Sequence, residues 1–475
     1  VTLKVTNKNT GKKVQLSKIK ADITEIAGKE MTVDFSTVTN KGVLYIDSSI
    51  KAGNYEVPIT VTDLYGNTTT TSTTVKVVNK TSTDESWDEA RIYFLLTDRF
   101  ADGDSSNNGG VEYNPKMAES YHGGDIQGVI SKLGYLQQLG INTIWITPIV
   151  DNIEDIVNEE LNQAGYTGYW AKDFTKIDEH LGTTEDLDKL LDEAHKRGMK
   201  VMVDIVVNHA GYYTNENDNF AGMFRKGAEI GSDDITMELS GMPDFKTEDQ
   251  NVRAKLIAWQ TAWASHTTEA GNSIDYFRVD TIKHVEHETF SQLKTALAEV
   301  NPNFKMIGEY WDATYNATAN YVGNGQMDSE LDFGFNDIAA KFVNGNIETA
   351  EKTLEARNKA LSSSLSMGQF LSSHDEDGFL YSVGYDYGKA KLAASLQITA
   401  KGQPVVYYGE EIALSGPNAF GVYENNRYDM QFNNLEEHQK DMLAHYKKVL
   451  VARSLYSDVM SKGTRTNVLG GDGYG

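Results

Sequence analysis

Four apolar runs in this sequence end in side chains that can do chemistry. They read Asp204-Ile-Val-Val-Asn208-His209, Arg278-Val-Asp280, Gly308-Glu309-Tyr-Trp311 and Ser372-Ser-His374-Asp375, with Lys283-His284 just beyond the second. Any one of these residues alone reads equally well as a helix cap or a salt-bridge partner. Together, three carboxylates with two histidines and an arginine suit glycoside cleavage. That reaction needs one nucleophilic and one protonated carboxyl flanking an oxocarbenium-like centre. Asp280 reads as the nucleophile. Glu309, on the next strand, would sit roughly 5–5.5 Å from it, the separation a retaining mechanism uses. Asp375 approaches from the far side, where it would hydrogen-bond sugar hydroxyls and strain the ring toward planarity.

Such convergence requires elements that deliver strand ends to one face. From Arg91 onward, strand-like and helical patterns alternate. Strands are expected at 92–96, 141–148, 199–207, 273–280, 305–309, 331–335, 368–373 and 403–408. Helices are expected at 125–139, 184–197, 247–266, 287–299, 346–361, 387–400 and 436–453. Eight or so of each indicate an α/β fold, a TIM (β/α)8 barrel over 88–455, whose active sites lie at the C-terminal strand ends. The polar stretch 210–246 follows the third strand and is long enough to be an inserted lobe. Before the barrel, residues 1–80 read as all-β: Tyr55, Val57, Ile59 and Val61 alternate, and Asp63-Leu-Tyr-Gly66-Asn67 is a turn. A small immunoglobulin-like β-sandwich, serving as a spacer or binding carbohydrate, is expected there. Residues 81–87 read as a linker and 456–475 as the start of another β-module.

Lys+Arg 44 against Asp+Glu 68 leaves a net charge of −24 spread along the chain, which argues against nucleic acid and anionic membranes as partners. With no cysteine, disulfides, thiolate metal sites and cysteine nucleophiles are excluded. No apolar run is long enough to span a bilayer, so membrane insertion is not expected. The sequence opens at Val1 inside a strand-like pattern, as expected of a piece of a longer protein. A monomer is expected.

The segments DIVVNH, FRVDTIKH, GEYW and FLSSHD, in this order, resemble the signature regions of the α-amylase family of glycoside hydrolases over about 91–455. The resemblance implies that Asp280 forms a glycosyl-enzyme, Glu309 is the general acid/base and Asp375 stabilises the transition state. It implies that Arg278 orients Asp280, and that His209, His374 and Trp311 contact the sugar. Lys283-His284 would lie on the leaving-group side, as in α-amylases and their transglycosylase relatives. Tyr166-Thr-Gly-Tyr169-Trp170 resembles a family segment whose second tyrosine stacks on the sugar ring, although Thr167 stands where many relatives carry His.

Metal sites follow the same logic. Asp102-Gly-Asp104-Ser-Ser-Asn107-Asn108 offers four side-chain oxygens in a short loop, either a hard Ca²⁺ site or a self-capped Asx turn. It resembles the calcium loop of cyclodextrin glucanotransferases, which implies Asp102, Asp104, Asn107, Asn108, Asp125 and the Gly123 carbonyl as ligands. A second implied Ca²⁺ site joins the inserted lobe to the barrel through Asn208, Asp244 and the His284 carbonyl. Met242-Pro-Asp-Phe245 supplies Asp244, with Phe-Lys following the Pro-Asp where the family has Leu-Asn.

The expected activity is retaining endo-hydrolysis of α-1,4-glucosidic bonds in starch and related α-glucans. The alternatives are an α-glucan transglycosylase, a neopullulanase or cyclomaltodextrinase, and a catalytically silent glucan-binding protein. A secreted or cell-surface location, in a Gram-positive bacterium that avoids cysteine, is expected.

Overall fold

Eight short strands, each followed by a helix or an excursion, close on themselves in the computed structural model. It describes residues 3–27, 30–35, 37, 53–77, 86–317, 321–322, 326–361, 365–422 and 425–468. The chain divides into two compact units, Val1–Thr83 and Asp84–Gly475.

The first unit is an antiparallel sheet of four strands: β1 (Leu16–Asp22), β2 (Thr32–Asp34), β3 (Gly53–Asp63) and β4 (Thr68–Val77), in the order β2-β1-β3-β4. Val57, Ile59 and Val61 of β3 are buried with Leu16, Ile19 and Ala21 of β1, as period two requires. The turn joining β3 to β4 is held by Asp63, whose Oδ1 accepts from the N–H groups of Tyr65 and Asn67 at 2.8 and 2.9 Å. Among the described residues this unit is one sheet rather than the two facing sheets of a sandwich. Residues 38–52, and residues 81–85 of the expected linker, lie outside the described residues.

The second unit is the barrel. Its strands are β5 (Ile92–Leu95), β6 (Thr143–Ile146), β9 (Lys200–Ile205), β10 (Tyr276–Val279), β11 (Lys305–Gly308), β12 (Ser329–Asp332), β13 (Ser366–Gln369) and β14 (Gln403–Tyr407). All pair in parallel, and β14 returns to β5 through Val405↔Ile92, Val406↔Tyr93 and Tyr407↔Phe94. β5, β6, β12, β13 and β14 are buried throughout because side chains fill the barrel inside and helices cover it outside. Phe94 stacks on Trp145 at 3.8 Å across the interior. The helix Thr184–Lys196 shows the local logic of the outer ring. A Thr183/Asp186 capping box starts it, Leu187, Leu190, Leu191 and Ala194 form its buried face, and Gly198 at φ +71° turns the chain into β9.

The lobe differs from its sequence reading. A second excursion, after β6, carries an antiparallel hairpin of β7 (Val150–Asn152) and β8 (Ala171–Ile177). It packs with residues 206–245 into one apolar cluster that includes Val150, Phe174, Phe220, Phe224 and Phe245. The lobe is therefore built from two insertions. Its second piece, 210–246, has no strand of its own and is held by short helical turns and by the bridges His209↔Asp244 and Phe224↔Phe245. The three-residue, register-shifted pairing of β7 carries no alternating pattern that could announce it. At the C-terminus, Ser457–Lys462 is a helix where a β-module was expected, and residues 469–475 lie outside the described residues. Among the described residues no helix is long and apolar enough to cross a membrane.

Candidate active site

The C-terminal ends of β9, β10 and β11 deliver their polar residues to a single guanidinium. Arg278 of β10 pairs in register with Asp204 of β9, so both point the same way. Its Nη1 donates to Asp204 Oδ1 and Oδ2 at 2.9 and 3.0 Å and to Asp280 Oδ1 at 2.8 Å. Its Nη2 lies 2.8 Å from Glu309 Oε1. Arg278 is 1% exposed, so these are buried, charge-assisted contacts. Asp204 also accepts from Tyr169 Oη at 2.8 Å and Trp145 Nε1 at 3.1 Å.

Asp280 and Glu309 each immediately follow their strand, so the barrel fixes their positions to within a peptide unit. The residue between Asp280 and the helical turn Ile282–His284 is Thr281, at φ +45° and ψ +44°. Its N–H donates to Glu309 Oε2 and its Oγ1 to Asp280 Oδ2, both at 3.1 Å.

Asp375 comes from the loop after β13. Its Oδ2 lies 3.0 Å from His374 Nε2, and its Oδ1 lies 3.2 Å from Arg427 Nη2. Arg427 also donates to the His374 carbonyl at 2.9 Å, and its guanidinium sits 5.3 Å from the Phe420 ring centre. The Tyr169 ring lies nearly parallel to His374, 5.5 Å away.

These groups face an open cleft of about 710 Å³. Asp280, Glu309 and Asp375 line it together with His209, His374, Tyr169, Lys283, His284 and Trp311. Every candidate catalytic and sugar-contacting residue except Arg278 is thus on its wall, and Arg278 lies just beneath. Among the described residues, ring nitrogens His209 Nε2 and His374 Nδ1 are buried without a hydrogen-bond partner. Trp311, 42% exposed, leans on Phe333.

Electrostatics separate the carboxyls. Burial, reinforced by Asp280 and Asp375 and opposed by Arg278, pushes Glu309 up to about 8. Burial would also raise Asp375, but His374 and the permanently charged Arg427 hold it below the usual carboxylate range. Burial draws His374 down to about 4 and lowers His209 as well, so both are neutral imidazoles at pH 7. Asp204 is pushed up to about 7 by burial against the pull of Arg278. The result is a protonated acid, Glu309, across the cleft from the Asp375 carboxylate, two roles set by environment.

The candidate metal ligands divide. In the loop near the start of the barrel, Asp125 caps the helix Ile126–Leu139 and is filled by donors. Its Oδ1 accepts from the N–H groups of Gly103 and Gly128 at 3.1 and 2.6 Å, and its Oδ2 from Asp104 N–H at 2.8 Å and Asn107 Nδ2 at 3.3 Å. Asp104 Oδ1 accepts from both the N–H and the hydroxyl of Ser106, and Asp102 Oδ2 from Asn108 Nδ2 at 2.7 Å. Yet Asn107 Oδ1 and Asn108 Oδ1 are buried with no donor, and Gly123, at φ +98°, packs so closely that a Cβ there would lie 2.5 Å from Asn108 Oδ1. Those two oxygens fit a hard cation, whereas Asp125 does not.

At the second place, one end of the Asn208 amide lies 2.9 Å from the His284 carbonyl and 3.3 Å from Asp244 Oδ1. With nitrogen on that side the amide bridges lobe and barrel directly. With oxygen there, three oxygens converge, an arrangement only a cation satisfies. Asp244 Oδ2 is held by Arg225 Nε at 2.6 Å. Among the described residues no three His, Cys, Asp or Glu side chains gather into a metal cage.

Sequence reasoning gave no role to Asp204, Thr281, Trp145 and Arg427. Asp204 and Thr281 lay inside quoted motifs, but the β9–β10 register and the positive φ that give them their contacts are not announced by those motifs. Arg427 sits in irregular chain far from any motif and gave none.

A parallel barrel with this carboxylate set at its C-terminal mouth is the architecture of a glycosidase. The Alpha-amylase family model, described as "Alpha amylase, catalytic domain", matches residues 94–234 and 231–448, and the chain belongs to this family of α-glucan hydrolases and transglycosylases. The periplasmic alpha-amylase of Escherichia coli is 29% identical over 508 residues, covering 85% of this chain and 73% of the relative. The cyclomaltodextrin glucanotransferase of Klebsiella oxytoca is 27% identical over 407 residues, covering 72% and 61%. The crystal structure of an Anoxybacillus alpha-amylase superposes with a TM-score of 0.67 at 31% identity, covering 78% of this chain and 80% of that one.

Proposed function

We propose that this chain is an α-amylase that cleaves internal α-1,4-glucosidic bonds of starch-like glucans with retention of configuration. The observation that carries the reading is that Asp280 and Glu309 occupy the two Nη atoms of one buried guanidinium, with Asp375 across the same cleft. Sharing one guanidinium favours the roughly 5–5.5 Å carboxyl separation of a double displacement. Asp280 attacks the anomeric carbon as the glycosidic C–O bond breaks, and Glu309 passes its proton to the departing oxygen. Water then attacks the glycosyl ester, Glu309 takes the water's proton, and Asp280 leaves as carboxylate. Asp375 and the free nitrogens of His209 and His374 hold sugar hydroxyls, while the Tyr169 ring offers a face to the apolar side of the pyranose.

Calcium belongs to this proposal as a structural ion. Asn208 Oδ1, Asp244 Oδ1 and the His284 carbonyl would hold one ion, which cross-links lobe to barrel without entering the chemistry. Asn107, Asn108, Asp102 and the Gly123 carbonyl would hold a second. The location proposed is extracytoplasmic, supported by a cysteine-free chain and by the periplasmic relative. A transglycosylase is the second reading, favoured by the similarity to the Klebsiella enzyme. The test is product analysis on amylose. Linear α-anomeric oligosaccharides, lost in Asp280→Asn, are expected; cyclic products would move the assignment to transglycosylase, and β-anomers would refute double displacement.

A further inference from the structure

We infer that Thr281 is a positioning residue that couples the two reacting carboxyls, its hydroxyl fixing Asp280 and its backbone N–H fixing Glu309. The inference rests on the reading of Asp280 and Glu309 given above.

A β-branched residue at φ +45° is a backbone outlier of the kind that surrounding structure must enforce. Here the outlier has a geometric result. With both dihedrals near +45°, the N–H and the Oγ1 of one residue face two carboxyls that arrive from different strands, each at 3.1 Å. Asp280 is thereby gripped at both oxygens: Oδ1 by Arg278 Nη1 at 2.8 Å and Oδ2 by the Thr281 hydroxyl. A carboxylate held at one oxygen can rotate about its Cβ–Cγ bond; one held at both cannot. Glu309 is gripped in the same two-point way, by Arg278 Nη2 and by the Thr281 N–H. Arg278 is the floor of the pair and Thr281 is its side rail. The other titratable groups whose charge reaches Asp280 are Asp204, His209, His374, Tyr169 and Glu309, and among the described residues none of them hydrogen-bonds its carboxylate.

The hydroxyl has a further effect on the two chemical steps. In the free enzyme it donates to an anionic oxygen; in the glycosyl-enzyme the carboxyl is an ester and a weaker acceptor. Thr281 therefore favours the carboxylate released in the second step as well as positioning it for the first.

The test uses Thr281→Val, which keeps the branch and removes the donor, and Thr281→Ser, which keeps the donor. Two substrates are used: amylose, and α-maltosyl fluoride, whose leaving group needs no proton and so reads the nucleophile alone. Thr281→Val is expected to lower kcat about tenfold or more on both, and to shift the acid limb of kcat/KM upward because a carboxylate that loses a donor holds its proton more tightly. Thr281→Ser should stay within about threefold of the parent. Unchanged rates and an unmoved limb in Thr281→Val would overturn the inference, and so would Thr281→Ser losing as much as Thr281→Val. Labelling of the parent with 5-fluoro-α-glucosyl fluoride, followed by peptide mass spectrometry, separates the two levels. An adduct on Asp280 keeps the catalytic reading whatever Thr281 does; an adduct on another residue overturns both.

Discussion

Arg278 donates through one nitrogen to both oxygens of Asp204, at 2.9 and 3.0 Å, and through that same nitrogen to Asp280. Asp204 is thus the counter-ion that keeps the guanidinium square to the two reacting carboxyls. A lysine offers a point charge and cannot reproduce a planar fork. Arg278→Lys is expected to fold and to lose about 10²–10³ in kcat on amylose, as misplacement of reacting groups does. Steady-state kinetics with circular dichroism checks this, and activity within threefold of the parent would count against it.

Glu309 has a separable role. Glu309→Gln should lose about 10³-fold or more on amylose, where the leaving oxygen must be protonated, yet keep most of its rate of glycosyl-enzyme formation with α-maltosyl fluoride. A single-turnover comparison of the two substrates reads the difference. Equal losses would assign the proton to another group.

The pH profile has a predicted sign. Glu309 must be protonated to act, and burial holds it up to about 8. Cleavage should therefore persist through neutrality and fall above about pH 8 as the acid deprotonates. His374, drawn down to about 4, stays neutral across that range and contributes no limb above pH 5. An alkaline limb near pH 5 would contradict the assignment of Glu309 as the acid.

Glu330 of β12 makes a stability prediction. It is 0% exposed, neither of its oxygens has a hydrogen-bond partner among the described residues, and burial alone pushes it up to about 8 from 4.5. Its folded pKa is raised, so the neutral form's contribution is intact below about pH 4.5 and is lost progressively as pH rises toward 8. At pH 7 the loss is on the order of 3 kcal/mol. Glu330→Gln keeps the shape and removes the titration. It should raise Tm more at pH 7.5 than at pH 5, by several degrees; a pH-independent difference would show that Glu330 finds a partner.

Calcium and the Asn208 amide make opposite predictions. If an ion joins Asn208, Asp244 and the His284 carbonyl, a chelator lowers the Tm of the parent and has a much smaller effect on Asp244→Asn. Binding at a thousandfold excess over Kd is worth about 4 kcal/mol, enough for a shift of several degrees. If the amide bridges directly, chelation shifts the parent and Asp244→Asn equally. Differential scanning calorimetry decides between them.

The barrel was legible because several of its strands, such as Ile92–Leu95 and Thr143–Ile146, are apolar runs and its helices carry capped 3.6-residue patterns, as in Thr184–Lys196. His209, Asp280, Glu309 and Asp375 were legible because each sits within a few residues of a strand-like run. Contacts that depend on register across strands were not. Asp204 faces Arg278 only because β9 and β10 pair at those two positions, and nothing within either strand announces it. The β7–β8 hairpin was missed for the converse reason: its partner is another loop rather than a repeating pattern. The self-capping of the 102–108 loop, where Asp104 accepts from Ser106 N–H, could be weighed from the sequence but not chosen, since a ligand oxygen and a capping oxygen use the same residue type.

The lobe's two pieces share an aromatic cluster distinct from the barrel's main core, with Phe174 contributed by one and Phe220, Phe224 and Phe245 by the other. A wall stitched from two excursions has its own melting behaviour. On heating, the cleft should lose the side carrying Trp170, Tyr212 and Met242 while the eight strands still stand, so catalysis would fade before the calorimetric transition begins. The enzyme's working ceiling would then be set by a handful of phenylalanines that never meet the sugar.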